Sequence, residues 1–113
     1  MISKGQEKMK QAQYLFDTNG NWISFKVDKY LYNTDGEWIG WFPSGNIAVD
    51  VDGNYLGTIF NNNRLLVDLN QHAVPYPGYP GYPGYPGYPG YPGYAGYCGY
   101  IPGTVDVDEK RLK

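Results

Sequence analysis

The sequence predicts an all-β fold: a small, closed antiparallel barrel made of four hairpins in a row. Three observations predict it. One turn phrase recurs four times, starting at Asp17, Asn33, Asp50 and Asp68, a spacing of 16, 17 and 18 residues. Apolar and aromatic residues flank every copy. Turn-forming residues recur midway between successive copies.

The phrase itself is Asx-x-Asx-Gly. It occurs as Asp17-Thr18-Asn19-Gly20, Asn33-Thr34-Asp35-Gly36 and Asp50-Val51-Asp52-Gly53, with a worn copy at Asp68-Leu69-Asn70-Gln71. Asp or Asn in first place bonds the backbone ahead of it, and glycine takes the residue with positive φ. A short loop of this kind, with its glycine bulge, joins antiparallel strands. About 16 residues hold two strands of roughly five or six and two turns. The second turn of each unit is expected at Asp28-Lys29, at Pro43-Ser44-Gly45-Asn46 and at Asn61-Asn62-Asn63.

Alternation sorts the side chains onto two faces. Phe16 is expected opposite Trp22, and Leu15 opposite Ile23. One face then collects Leu15, Ile23, Leu31, Ile39, Ala48, Leu56, Leu66 and Ala73, continued by Phe25, Val27, Trp41 and Phe60. This aliphatic face is the expected core. The other face collects Phe16, Trp22, Tyr32, Trp38, Val49, Tyr55, Val67 and His72, with Ser24, Gly40 and Gly57 following the aromatic positions. Eight short strands have an edge problem, because unpaired edges invite aggregation. Closing the meander removes the edges. No single hairpin buries its apolar face alone, which suits a stack of repeats whose last member is atypical.

These residues carry a resemblance. The pattern aromatic-Asx-x-Asx-Gly-x-aromatic-Ile/Leu-Gly, repeated in about 60 residues and followed by a Pro-Gly-Tyr tail, resembles the four-fold beta-flower proteins. The resemblance covers about residues 14–75 and implies a shallow, pseudo-four-fold antiparallel barrel with hairpin petals. It implies no catalytic residues and no cofactor. In outline such a barrel is similar to the tubby C-terminal barrels, which bind lipid head groups. This chain departs from the pattern at Gln71, in place of the fourth glycine, and at His72, in place of the fourth aromatic residue.

The chain divides into a lead-in (1–13), the four-hairpin barrel (14–75), a low-complexity tail (76–103) and a charged end (104–113). The lead-in has no apolar run suited to a secretion signal or a membrane span, and Glu7 to Gln13 suits at most a turn or two of helix. A cytoplasmic protein, peripheral to membranes where it meets them, is expected. The barrel segment is small enough to be marginal by itself, so a homo-oligomer is a natural further source of burial. Residues 14–74 hold seven acids and three bases. Nucleic-acid binders carry a basic face, so nucleic acid is excluded as a partner.

The tail changes character abruptly. Six perfect Tyr-Pro-Gly triplets run from Tyr76 to Gly93, and tyrosine continues at every third place to Tyr100. Proline at this period excludes helix and sheet ladders, and glycine eases bending. A disordered, uncharged, adhesive tail with extended segments is expected. Glycine at every third place also fits the collagen rule, but eight glycines are few for a triple helix. Val105-Asp106-Val107-Asp108 echoes Val49-Asp50-Val51-Asp52. It reads as a chance echo in a solvated end, with an added strand as the alternative.

Little here suits catalysis. The single cysteine, Cys98, rules out an intrachain disulfide and a cysteine cluster. The single histidine, His72, fills an aromatic slot and has no nucleophile at a suggestive spacing. Asp50-Val51-Asp52-Gly53 opens like a calcium loop, yet Phe60 stands where the bidentate acid belongs. No enzyme, cofactor or metal is expected. The candidate ligand site is the aromatic face: Trp22, Trp38 and Tyr55, with Gly40 and Gly57 beside them for close backbone approach. Asp17, Gly20, Asn33, Gly36, Asp50, Gly53 and Asp68 are assigned to turns. Two functions fit. One is a non-enzymatic module that docks on a lipid surface or an apolar protein partner, with the tail adding weak adhesion. The other is an assembly protein that self-associates through barrel and tail.

Overall fold

The structure, a computed structural model, describes residues 12–71, 74, 75, 77–84 and 86–113. Readings that concern the lead-in before Ala12, His72 and Ala73 lie outside the described residues. Seven strands form an antiparallel meander: β1 (Gln13–Phe16), β2 (Trp22–Val27), β3 (Tyr30–Asn33), β4 (Trp38–Ser44), β5 (Ile47–Asp50), β6 (Tyr55–Phe60) and β7 (Arg64–Asp68). An eighth, β8 (Thr104–Asp106), comes from the far end of the chain, and a 3-10 turn at Glu109–Leu112 follows it. Each strand pairs with the next in sequence, and β1 also meets β7. An odd number of meandering strands leaves the first and last running the same way. The seam is therefore parallel, at Phe16 and Arg64, and the Phe16 amide donates to Asn63 O at 2.8 Å. The all-β closed barrel expected from the turn phrases is present.

The turns form as their chemistry dictates. The amides of Gly20, Gly36 and Gly53 donate to the carbonyls of Asp17, Asn33 and Asp50 at 3.0–3.1 Å. The same three side chains accept from the amides of Asn21, Glu37 and Asn54. Each glycine has φ between 83° and 94°. The fourth turn closes too, Gln71 donating to Asp68 O at 3.1 Å. Gln71 does not take positive φ. Left-handed residues also mark the second turns, at Asp28, Gly45, Asn61 and Asn62.

Register corrects part of the facing assignment. Phe16 lies opposite Trp22, as expected, but Leu15 lies opposite Ser24, not Ile23. The same skip recurs: Tyr32 faces Trp38 and Leu31 faces Gly40, while Val49 faces Tyr55 and Ala48 faces Gly57. In each hairpin one outgoing residue is bulged, namely Ile23, Ile39 or Leu56. A bulge adds a residue to one strand, so side-chain alternation reverses beyond it. The main core holds Leu15, Leu31, Ile39, Ala48 and Leu56 as expected, but it is continued by Phe42, Ile59 and Leu65. Trp41 and Phe60 are outside that cluster. Phe25 and Val27 pack instead with Tyr32 in a second cluster under the aromatic face.

The fourth hairpin is completed from a distance. The return strand expected directly after the Asp68 turn falls largely on residues outside those described. In the structure β8 pairs antiparallel with β7, with Val67 opposite Val105 and Asp68 opposite Thr104. The Val-Asp-Val-Asp echo is thus an added strand and not a solvated end. Two features draw it in. Val107 and Leu112, just beyond it, are buried in the main core. Asp106 accepts from the Thr18 amide and hydroxyl, both at 2.9 Å, tying the last strand to the first turn.

Among its described residues the tail forms neither helix nor strand, as its prolines require. Its described residues nevertheless contact the barrel. Gly78, Gly81, Gly84, Gly87, Gly90, Gly93, Gly96 and Gly99 all have φ between 84° and 93°, a region open to glycine and strained for other residues. The result is a ribbon with a three-residue repeat, laid against the barrel.

Candidate functional site

The site begins with two tryptophans that each hairpin turn places alike. Trp22 and Trp38 are the first residues of β2 and β4. Each indole Nε1–H donates at 2.7 Å to a carbonyl two residues along its own strand, Ser24 O and Gly40 O respectively. That bond lays the ring along the strand and fixes its rotamer. A tyrosine from the same sheet meets each ring edge-on: Tyr14 at 5.7 Å from Trp22, and Tyr30 at 6.2 Å from Trp38. Beneath them Phe25 and Tyr32 stack at 5.2 Å and 17°. The floor is rigid and the rings above it are half-buried.

The tail occupies this face. Tyr88 and Tyr91 contact Trp22, with ring centroids at 6.0 and 5.9 Å and planes inclined at 59° and 58°. Tyr79 and Tyr82 contact Trp38 at 5.7 and 5.5 Å, inclined at 62° and 63°. Such inclined pairs are favoured by the ring quadrupoles and are worth about 0.5–1.5 kcal/mol each beyond their burial. Tyr14 Oη donates to Pro89 O at 2.9 Å, clamping the ribbon between the two tyrosines on Trp22.

The far end of the ribbon is pinned by backbone bonds. Ala95 donates to Gly20 O and Cys98 to Thr18 O, both at 2.9 Å. Gly20 is needed twice, for its positive φ and because a Cβ there would stand 2.5 Å from the Gly96 backbone. Arg64 is buried at the barrel seam, and its Nη1 donates to Asp17 O and Gly96 O. One guanidinium therefore joins β7, the first turn and the tail. Among the described residues no carboxylate lies within salt-bridge distance of it. Carbonyl oxygens and the Phe16 ring, 6.0 Å away, surround the charge.

Other predicted site residues part from the tryptophans. Tyr55 holds the equivalent register, but its hydroxyl bonds Thr58 Oγ1 at 2.6 Å and accepts from the Asp68 amide at 2.9 Å. It ties the third hairpin to the fourth turn. Gly40 and Gly57 do not open the backbone to a ligand. Both are buried, and the space beside them is filled by Val49 O and Leu56 Cδ1 at Gly40, and by Leu66 O, Val107 and Leu65 at Gly57. The bulges turned these positions inward. The residues that sequence reasoning missed are Arg64 and the tail tyrosines at 79, 82, 88 and 91. Their signal was the three-residue period of tyrosine in a chain whose hairpins present matched aromatic positions.

Beside Trp22 lies an open cleft of about 210 Å³, lined also by Ile23, Asp35, Glu109 and Leu112. Pockets that enclose small molecules run to roughly 300–1,000 Å³, so the surface of the aromatic face, not a cavity, is the candidate site. Among the described residues no group of three or more His, Cys, Asp and Glu is placed to hold a metal ion. Nor, among them, is any helix long and apolar enough to cross a membrane.

A family model described as 4-fold beta flower protein matches residues 7–97. The chain belongs to that family. The matched span runs through all four turn phrases of the flower and on to Tyr97, so it takes in the docked ribbon as well as the petals. The family description names a shape and no reaction. No match is found among curated proteins or solved structures.

One titration reports on the floor of the flower's aromatic face. The Tyr32 phenol is pushed from its ordinary value of 10.0 up to about 12, first by burial, then by Tyr30, Tyr82 and Asp28 nearby. A phenol whose pKa is raised on folding stabilises the fold fully below its unfolded value. That contribution is lost as pH rises from about 10 through about 12. Tyr32→Phe removes the group, so it is expected to lose less stability than the wild type over that window, by on the order of 2 kcal/mol. Urea unfolding at a series of alkaline pH values measures the difference. Parallel curves would refute it.

Proposed function

We propose that this beta flower is a non-enzymatic binding module, which docks on a neutral lipid surface or on an apolar partner through its tyrosine-studded aromatic face. One observation carries the reading. Trp22 and Trp38 hold the ribbon down, yet its described tyrosines between Tyr79 and Tyr100 remain 57–69% exposed. No Asp, Glu, Lys or Arg occurs between Asp68 and Asp106. An ordered row of phenols without charge suits a half-wet interface, where an apolar body and a polar tip are both satisfied. The acidic barrel disfavours anionic lipid, so zwitterionic surface is meant. A cytoplasmic location at the membrane periphery goes with this reading.

Flotation with phosphatidylcholine vesicles tests it. Trp22→Ala/Trp38→Ala releases the ribbon from its anchors, so the row no longer presents as one surface. Its bound fraction is expected to fall by about fivefold, equivalent to ~1 kcal/mol. Circular dichroism checks that the variant is folded. Unchanged flotation of the folded variant sinks the reading.

A second reading has its own support. The tail and β8 meet the barrel from the far end of the sequence, and the tail's contacts repeat from triplet to triplet. Contacts of that kind are available between copies as well as within one, which suits an assembly protein.

A further inference from the structure

Two adjacent hairpins hold the same ligand in the same way. Each offers an indole locked by its own Nε1–H bond, and each takes two tyrosines three residues apart. The engaged pairs, Tyr79/Tyr82 and Tyr88/Tyr91, are offset by nine residues, which is three whole triplets. The two clefts therefore read a spacing and not a particular stretch of tail. A shift by one triplet again presents tyrosines at all four places. What fixes the register within one chain lies elsewhere, in the bonds of Ala95, Gly96 and Cys98 to the first turn and Arg64.

We infer that Trp22 and Trp38 form a two-site reader of Tyr-Pro-Gly-Tyr segments, and that its partner in trans is the tail of a second copy of this chain. The inference deepens the assembly reading and rests on it, naming the site and the occupant. The occupant is given by what already sits there: an uncharged segment whose tyrosines match both clefts. Tyr94, Tyr97 and Tyr100 keep the three-residue spacing and are 65–68% exposed. Among the described residues they make no tryptophan contact. The tethered tail competes at an effective concentration on the order of millimolar. Exchange between copies is thus a high-concentration event, or one that follows loss of the cis contacts.

The test uses the full chain with Tyr79, Tyr82, Tyr88 and Tyr91 changed to Ser, which leaves no Tyr-Pro-Gly-Tyr segment in the tail in any register. These tyrosines are exposed and lie outside the main core, so the barrel is expected to fold, as circular dichroism will check. The probe is a fluorescent synthetic peptide with the sequence of residues 79–91. It is expected to bind the variant about tenfold more tightly than the wild type, whose clefts are already filled. Adding Trp22→Leu/Trp38→Leu is expected to abolish that binding. In a second arm, the Trp22→Leu/Trp38→Leu chain with an intact tail is mixed with the four-serine chain. Light scattering is expected to show a complex of the two that neither forms alone.

Absence of saturable peptide binding to the folded variant into the millimolar range, or binding that survives loss of both tryptophans, overturns the reader. Lack of a mixed complex overturns the second copy as partner. If the wild type self-associates while the peptide fails, the reader is wrong and the assembly reading stands. Should the four-serine variant not fold, Tyr88→Ser/Tyr91→Ser frees the Trp22 cleft alone and is read in the same way.

Discussion

Gly40→Ala is expected to lower the unfolding midpoint of this barrel severely, far more than Gly45→Ala does. A Cβ at that position would stand 2.2 Å from Val49 O and 3.0 Å from Leu56 Cδ1. The leucine end can rotate away. The carbonyl cannot, because Val49 belongs to β5, which is paired with β4 on one side and β6 on the other. Relief requires β4 and β5 to separate, which sacrifices ladder bonds and opens the core behind Ala48. Overpacking a tight site costs about 1–3 kcal/mol, and backbone displacement adds to it. A small domain has only about 5–15 kcal/mol in total. Gly45→Ala is the control: its φ is +60° and nothing lies within 4 Å of the added carbon, so only a backbone strain of about 1 kcal/mol is expected. Urea titration followed by circular dichroism reads both. A Gly40→Ala midpoint at or above that of Gly45→Ala would show that the inward packing described here is wrong.

The equivalent position in the first hairpin is Ser24, fully buried and, among the described residues, with no partner for its hydroxyl. The third has Gly57. The sequence showed these three as small residues after an aromatic one, and their recurrence was legible. Their direction was not. Strict alternation carried past Trp22 puts Phe25 and Val27 in the main core. The bulge after each Asx-Gly turn breaks that count by one, so Phe42 and Ile59 go in while Trp41 and Phe60 stay out. The turn itself was legible because its chemistry is local: an Asx side chain, three residues and a glycine with positive φ. The docked ribbon was not, because its partners are remote. Tyr88 meets Trp22 across most of the barrel sequence, and no local rule links a proline-rich tract to an indole. Composition argued against helix and strand in the tail, and its described residues form neither. It said nothing of the binding of tyrosine to the barrel's own tryptophans. Trp22 and Trp38 were found through matched places in the repeat, and Tyr55 fell with them until its hydroxyl proved to be spent on Thr58 and Asp68.

Removing residues 104–113 is expected to unfold the barrel, although the meander of β1 to β7 would be intact in sequence. Without β8, Leu66 to Asp68 lose their antiparallel partner, and their amides and carbonyls form an open edge. Val107 and Leu112 leave the main core, where they are 7% and 6% exposed. Two buried aliphatic side chains are worth about 3–6 kcal/mol together. Asp106 no longer accepts from Thr18, and the Arg111 bond to Tyr55 O and its 3.5 Å ion pair with Asp50 are lost. That exposed pair adds at most a few tenths of a kcal/mol, so the apolar loss decides the outcome. Thermal melts are expected to lose their cooperative transition, and hydrogen exchange at Leu66 to Asp68 to become unprotected. A synthetic peptide of residues 103–113 is expected to restore part of the signal. Single substitutions sharpen the point. Val107→Asp buries a charge and is expected to reproduce most of the damage. Val105→Asp, at a side chain 48% exposed on β8 itself, is expected to be nearly silent. Equal damage at both positions would mean that β8 does not seat on β7 in this register, and the fourth petal would have to be completed some other way.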